Sequence, residues 1–179
     1  LGVRAELDVL FIERMSAPDA VVNATLIGGR IPLHASSNGL VLLAHAPAGV
    51  VNEVLGSPMR AYTPLTITDP QVLGAELARI RADGFAVASG HIHLESRGMA
   101  VPVRGPEGEV YAALGAVVPN DGSSAAAVLE TLRVASAGIT RALRALYGSG
   151  LDEAAVVHGP RPDAGVSAKS WAYIADLAE

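Results

Sequence analysis

Chemistry-bearing residues in this chain gather in short stretches, and Ser36-Ser37-Asn38-Gly39 is the first of them. Small polar side chains at the opening of an apolar helix leave backbone N–H donors free, which suits an anion or polar ligand resting on a helix N-terminus. The same residues also make an ordinary cap, because a helix needs its first N–H groups satisfied whether or not anything binds. The second stretch is His91-Ile92-His93 with Glu95. On a strand, alternate side chains share a face, so both imidazoles and the carboxylate would form a set suited to zinc or non-haem iron. On a loop they are ordinary solvated residues, and Ser89-Gly90 interrupts the strand just before them. His34 lies near Ser36 and Ser37, but neither serine sits in a G-x-S-x-G elbow and no acid partner can be named. A hydrolase is not expected, and His34 reads as a buried imidazole donating to a backbone carbonyl. His45 and His158 read as surface or loop residues, and Arg104-Gly105-Pro106 is a turn without phosphate-loop spacing.

The elements that must position these residues fit in one domain, since 179 residues suffice for a single sizeable core. Apolar runs are broken by Gly, Pro, Asp or Arg before they reach the roughly 18–20 residues of a membrane span. Charged residues near the start (Arg4, Glu6, Asp8) do not make a secretory signal, and an opening on Leu1 leaves room for a trimmed start. The absence of cysteine excludes disulfides and thiolate metal sites and fits a cytoplasmic protein. With 13 basic residues against 18 acidic ones, and 4% aromatic content, the chain lacks a basic face for phosphates or stacking platforms for single strands.

In chain order, Leu7 to Arg14 reads as a strand closed by the breaker Ser16-Ala17-Pro18-Asp19, and Val21 to Ile27 as a second strand. Gly28-Gly29 turns into the extended Ile31-Pro32-Leu33, and a helix follows from near Ser37 to Pro47. Ala48 to Leu55 is a short helix capped by Gly56. Asp69-Pro70 opens an amphipathic helix whose Leu73, Leu77 and Ile80 share a face until Gly84 ends it. Phe85 to Ser89 and Met99 to Arg104 read as strands, Pro106-Glu107-Gly108 as a turn and Val110 to Val118 as its return strand. A long helix spans Ser123 to Tyr147; beyond a loop at 159–165, Val166 to Glu179 reads as a terminal helix that could cover the pocket mouth or, the better fit, dock on a neighbouring subunit. The fold class is α+β, an antiparallel sheet with flanking helices.

Three strings, GGRIPLHASSNG, AYTPLTITDPQVLGAELARIRADGFAV and MAVPVRGPEGEVYAAL, stand in that order before the long helix. Together they resemble the C-terminal effector-binding domain of IclR-type transcriptional regulators, over about four-fifths of the chain. The resemblance implies a GAF/PAS-like sensor fold over residues 1–148, with 149–179 as an extension, and a non-enzymatic role. It also implies a small-molecule effector, a homodimer or homotetramer, and DNA contact through a winged helix-turn-helix domain that this sequence does not contain. No cofactor and no membrane enter that picture.

The family's effector-binding positions carry over to Asn23, Ile31, Ala35, Ser37, Asn38 and Gly39, then Ala88, Ser96 and Gly98, then Gly115 and Val117. Members that bind small carboxylates place an acid near Ala88, a thiol near Gly98 and hydroxyls near Gly115 and Val117, and this chain has none of these. A roomier, more apolar pocket is the expectation, with glycine and alanine admitting a ring and Asn23, Ser37, Asn38 and Ser96 fixing one end of an aromatic or bulky acid. Leu40 stands where the family commonly has Lys, and His91 and Glu95 where it has Glu and Gly. A ligand-blind oligomerisation domain, or a metal-binding variant using His91 and His93, are the alternatives. No residue indicates whether binding activates or represses.

Overall fold

The computed structural model describes residues 1–16, 20, 21, 23 and 25–148. Six strands, β1 (Gly2–Ala5), β2 (Asp8–Phe11), β3 (Arg30–Pro32), β4 (Ala86–Ser89), β5 (Ser96–Arg104) and β6 (Val110–Pro119), form one antiparallel sheet in the order β3-β2-β1-β6-β5-β4. Four helices flank it: α1 (Ser37–Ala44), α2 (Ala48–Gly56), α3 (Pro70–Asp83) and α4 (Ala126–Gly148). The α+β class expected from the sequence is the class observed.

The strand reading near the start needs correction. Leu7 to Arg14 is not one strand; the chain makes a hairpin, β1 with β2, in which Glu6 takes a left-handed turn at φ 58°. The ladder ends at Phe11 because Ile12 and Glu13 both donate their N–H to Leu1 O. Val21 to Ile27 forms no strand among the described residues. Asn23 Oδ1 instead accepts from Thr25 N at 3.1 Å and Thr25 Oγ1 at 2.8 Å, a local turn that competes with sheet pairing. Strand β5 starts at Ser96 rather than Met99, α1 ends at Ala44 well before Pro47, and α4 starts at Ala126 rather than Ser123. The expected loop at 159–165 and terminal helix from 166 lie outside the described residues.

Helix α3 forms as its sequence dictates: Asp69 caps the N–H groups of Gln71 and Val72, Pro70 occupies the first turn, and Gly84 closes the helix at φ 75°. Its Leu73, Leu77 and Ile80 are buried, with α3 packed on α1 and α2, in a core that also holds Val9, Leu33, Leu40 and Leu43. Strict alternation along β5 divides the two faces of the sheet. Met99 and Val101 pack with Leu129 and Leu132 of α4, whereas Ala100 belongs to the core on the α1 side. Ser136 Oγ donates to Pro102 O at 2.6 Å and ties α4 to that strand.

Space at the glycines predicts opposite effects of one added methyl. A Cβ on Gly39 would lie 2.8 Å from the Leu33 Cα and carbonyl carbon, whereas one on Gly74, inside α3, meets nothing within 4 Å. Gly39→Ala should lower stability by about 1–3 kcal/mol through overpacking. Gly74→Ala should raise it by about 0.5–1 kcal/mol through helix entropy. Urea unfolding of the two variants gives both signs in one experiment, and a neutral Gly39→Ala would show that the turn into α1 is loosely packed.

Candidate functional site

The site is built around a helix start that enters the protein interior. After β3 the chain reverses within a few residues, with Ala35 N donating to Pro32 O at 3.0 Å, and Ser36 Oγ then caps Gly39 N at 3.2 Å. Gly39 presses against the Leu33 backbone, so only a residue without Cβ lets α1 begin so soon after the strand. Every residue of α1 is buried, and its first two side chains, Ser37 and Asn38, face the sheet.

Glycines on that sheet receive them. A Cβ on Gly98 of β5 would sit 2.8 Å from Ser37 Oγ, and one on Gly115 of β6 would overlap Asn38 Oδ1. Asn38 Nδ2 donates to Ala113 O of β6 at 2.9 Å, a buried hydrogen bond that anchors the first turn of α1 to the sheet. The space that a side chain would fill at Gly98 and Gly115 is thus occupied by the protein's own Ser37 and Asn38.

A cavity of about 60 Å³ opens beside this turn. Its wall includes Asn23, Ile31, Ala35, Ser37, Asn38, Ala88, Ser96, Gly98 and Val117, so the structure brings together residues drawn from five separate stretches of the sequence. Gly39 is not on the wall, and Gly115 lines instead an adjoining cavity of about 470 Å³. The two cavities share Phe11, Asn23, Thr25, Asn38 and Val117.

The sequence reading missed Phe11, Thr25 and Ile92, and it gave Ser36 as a helix cap and His91 and His93 as a metal alternative instead of as effector-site wall; all of these line the smaller cavity. Residues 90–95 form turns rather than a strand, so the alternation that would align His91, His93 and Glu95 does not apply, and Glu95 is exposed. Among the described residues no group of three His, Asp or Glu side chains is placed to hold a metal ion. The turn is held from below by the Thr-Pro-Leu-Thr segment: Thr63 Oγ1 donates to Gly90 O and Thr66 Oγ1 to His91 O, each at 2.6 Å. Those two threonines were the available signal, being hydroxyls in an otherwise apolar string that need buried partners.

His34 is buried, and its Nε2 lies 2.9 Å from Arg60 O. A carbonyl can only accept, so the imidazole donates there, as the sequence indicated. His45 is half-buried rather than on the surface, and His158 lies outside the described residues. Among the described residues no Asp, Glu, Lys or Arg lines the smaller cavity, and of its two histidines His91 is driven toward the neutral form. Burial lowers the His91 pKa from 6.5, the nearby Glu76 carboxylate partly opposing and His34 adding to it. Burial also lowers the His45 pKa, helped by Arg104 and Arg81.

The pH dependence follows in sign. As pH falls through 6.5 the unfolded chain takes up protons at His91 and His45 before the folded chain does, so stability should decline from about pH 7.5 toward pH 5. His91→Gln removes one of these contributions and should flatten the decline. Urea midpoints across that range test it, and identical slopes for the two proteins would show that the fold does not hold His91 neutral.

Comparison with known proteins places this geometry. A family model described as "Bacterial transcriptional regulator IclR C-terminal" matches residues 1–141. The HTH-type transcriptional regulator XynR of Escherichia coli (strain K12) is 31% identical over 147 residues, which cover 80% of this chain and 58% of that protein. The crystal structure of an IclR homolog from Microbacterium hydrocarbonoxydans complexed with 4-hydroxybenzoate is 44% identical, with a TM-score of 0.78 over 80% of this chain and 59% of that one. The PobR transcription factor inducer binding domain from Acinetobacter, a double mutant in complex with 3-hydroxybenzoic acid, is 26% identical, with a TM-score of 0.68 over 78% of this chain and 85% of that one. The chain thus spans a little over half the length of XynR and of the Microbacterium protein. It belongs to the IclR family of bacterial transcriptional regulators, which are not enzymes, and residues 1–141 correspond to the C-terminal domain of that family.

Proposed function

We propose that residues 1–148 sense an aromatic carboxylic acid of the hydroxybenzoate class in the cavity at the first turn of α1. The observation that carries this reading is the wall itself: a buried polar turn, Ser36-Ser37-Asn38, faces Phe11, Ile31, Ala35, Ala88, Ile92 and Val117 with no charged group among them. Such a wall offers stacking and apolar contact to a ring and neutral hydrogen-bond donors to a polar substituent. The hydroxybenzoates bound to the Microbacterium and Acinetobacter relatives support the same class. The proposed contacts are Asn23, Ile31, Ala35, Ser37, Asn38, Ala88, Ser96, Gly98 and Val117, with Gly115 behind Asn38 and Gly39 holding the turn.

The response is a linkage effect. A ligand bound more tightly by one arrangement of subunits than another shifts the population able to meet an operator, and a strong shift needs discrimination of about 5 kcal/mol. The operator would be met by a winged helix-turn-helix domain preceding this one. Helix α4 leaves Val134, Leu146 and Tyr147 exposed by 64, 51 and 64%, an apolar outer surface that suits association into a dimer or tetramer. Among the described residues no helix is long and apolar enough to cross a membrane.

A second reading, an oligomerisation domain without ligand response, draws on the small cavity and on the filling of Gly98 and Gly115 by α1. Thermal unfolding with 4-hydroxybenzoate, 3-hydroxybenzoate, pyruvate and glyoxylate separates the two. The aromatic acids at a hundred times their dissociation constant should add about 2.7 kcal/mol, and the two small oxo-acids nothing comparable. Stabilisation by pyruvate or glyoxylate alone would overturn the ligand class, and silence from all four would favour the second reading.

A further inference from the structure

Arg14 is only 6% exposed, yet it forms no ion pair among the described residues. Its Nε donates to Ser16 Oγ at 3.0 Å and its Nη1 to Thr25 O at 2.6 Å, but Nη2 is buried with no partner among the described residues. The neighbouring carboxylate does not neutralise it, since Glu13 Oε1 accepts from the Arg14 backbone N–H at 2.8 Å instead. A guanidinium withdrawn from water and left without a counter-charge is costly, and such groups in proteins are paired or bind an anion.

The buried guanidinium borders a cavity among the described residues. Arg14 lines the cavity of about 470 Å³, together with Leu114, Gly115, Ala116 and Val118 of β6. Asn23, Thr25, Asn38 and Val117 belong to this wall and to that of the smaller cavity, so the boundary between them is made of the same side chains. Among the described residues the smaller cavity supplies a wall without Asp, Glu, Lys or Arg; the larger supplies the Arg14 guanidinium, which makes no ion pair with the Glu13 carboxylate on the same wall. A molecule with a ring at one end and a single negative charge at the other matches the pair.

We propose that Arg14 is the carboxylate-binding group of the effector site, with the ring in the smaller cavity and the carboxylate reaching past Asn38 and Thr25 to the Arg14 guanidinium, whose Nη2 turns to meet it. This deepens the aromatic-acid reading and rests on it for the nature of the ring; the anion site itself rests on the geometry of Arg14. Thr25 O and Ser16 Oγ hold the guanidinium at the cavity before a ligand arrives. A monoanion is the fitting charge, because one guanidinium borders the pair and, among the described residues, no second Lys or Arg lines either cavity. A neutral analogue keeps the ring contacts and loses only the ionic hydrogen bonds.

The test titrates the 179-residue chain with 4-hydroxybenzoate, its neutral amide 4-hydroxybenzamide, and acetate, in wild type, Arg14→Gln and Arg14→Lys. Wild type should prefer the acid to the amide. Arg14→Gln should weaken the acid by roughly 10–100-fold, the usual range for a lost charged hydrogen bond, while the amide changes by less than about threefold. Arg14→Lys keeps the charge without the fork and should fall between, and it decides the matter alone if Arg14→Gln does not fold. Unchanged affinity for the acid in the variants overturns the proposal. Should wild type fail to bind 4-hydroxybenzoate, the aromatic reading falls and acetate judges Arg14 separately. A rise in melting temperature with sodium acetate over sodium chloride at equal ionic strength, lost in the variants, supports the anion site; no Arg14-dependent rise overturns it.

Discussion

The buried hydrogen bond from Asn38 Nδ2 to Ala113 O is the contact on which the rest of this structure depends. An isolated helix of eight residues has little stability of its own, so α1 exists because it is packed on every side. Its apolar residues Leu40 to Ala44 join the core, but its first turn is polar and would be costly to bury unmatched. Asn38 resolves that conflict by reaching a strand carbonyl, and Gly98 and Gly115 resolve the steric part by standing aside. Where this turn seats against the sheet, the packing leaves the cavity.

That arrangement makes the site a junction of elements far apart in the chain. The wall joins the end of β2, the segment around Asn23, the first turn of α1 and the start of β5 to the turn carrying His91 and His93. Strand β5 bears Gly98 toward the cavity and Met99 toward α4, and Pro102 O on the same strand accepts from Ser136 of α4. A ligand that shifted α1 against β5 would therefore act on a strand that α4 grips from the opposite face. Because packed interiors are stiff, small displacements at the cavity are carried through the sheet instead of being absorbed.

Much of the fold was legible in the sequence because local chemistry and tertiary need agreed. Asp69-Pro70 and Gly84 bracket α3 through capping and a left-handed terminus, both decided within a few residues, and Leu73, Leu77 and Ile80 announced its buried face. The cap at Ser36 and the strands β4 and β6 were equally local. The early chain was not legible, because the apolar run from Leu7 onward hides a hairpin whose turn sits at the charged Glu6, and Leu1 O, not a turn residue, draws Ile12 and Glu13 out of the ladder. Val21 to Ile27 has strand composition, yet Asn23 satisfies the backbone locally.

For the site, the sequence by itself determined that a small polar turn opens an apolar helix, that no charged cluster follows it, and that the strings around it resemble one family. These are properties of composition and spacing. Only the tertiary structure decided that Gly98 and Gly115 receive Ser37 and Asn38, that His91 and His93 face a cavity from a turn held by Thr63 and Thr66, and that Arg14 is buried beside it. Each of those outcomes depends on which strand lies opposite which helix residue. Such pairings bring together positions separated by tens of residues, and no local rule of spacing or propensity encodes them.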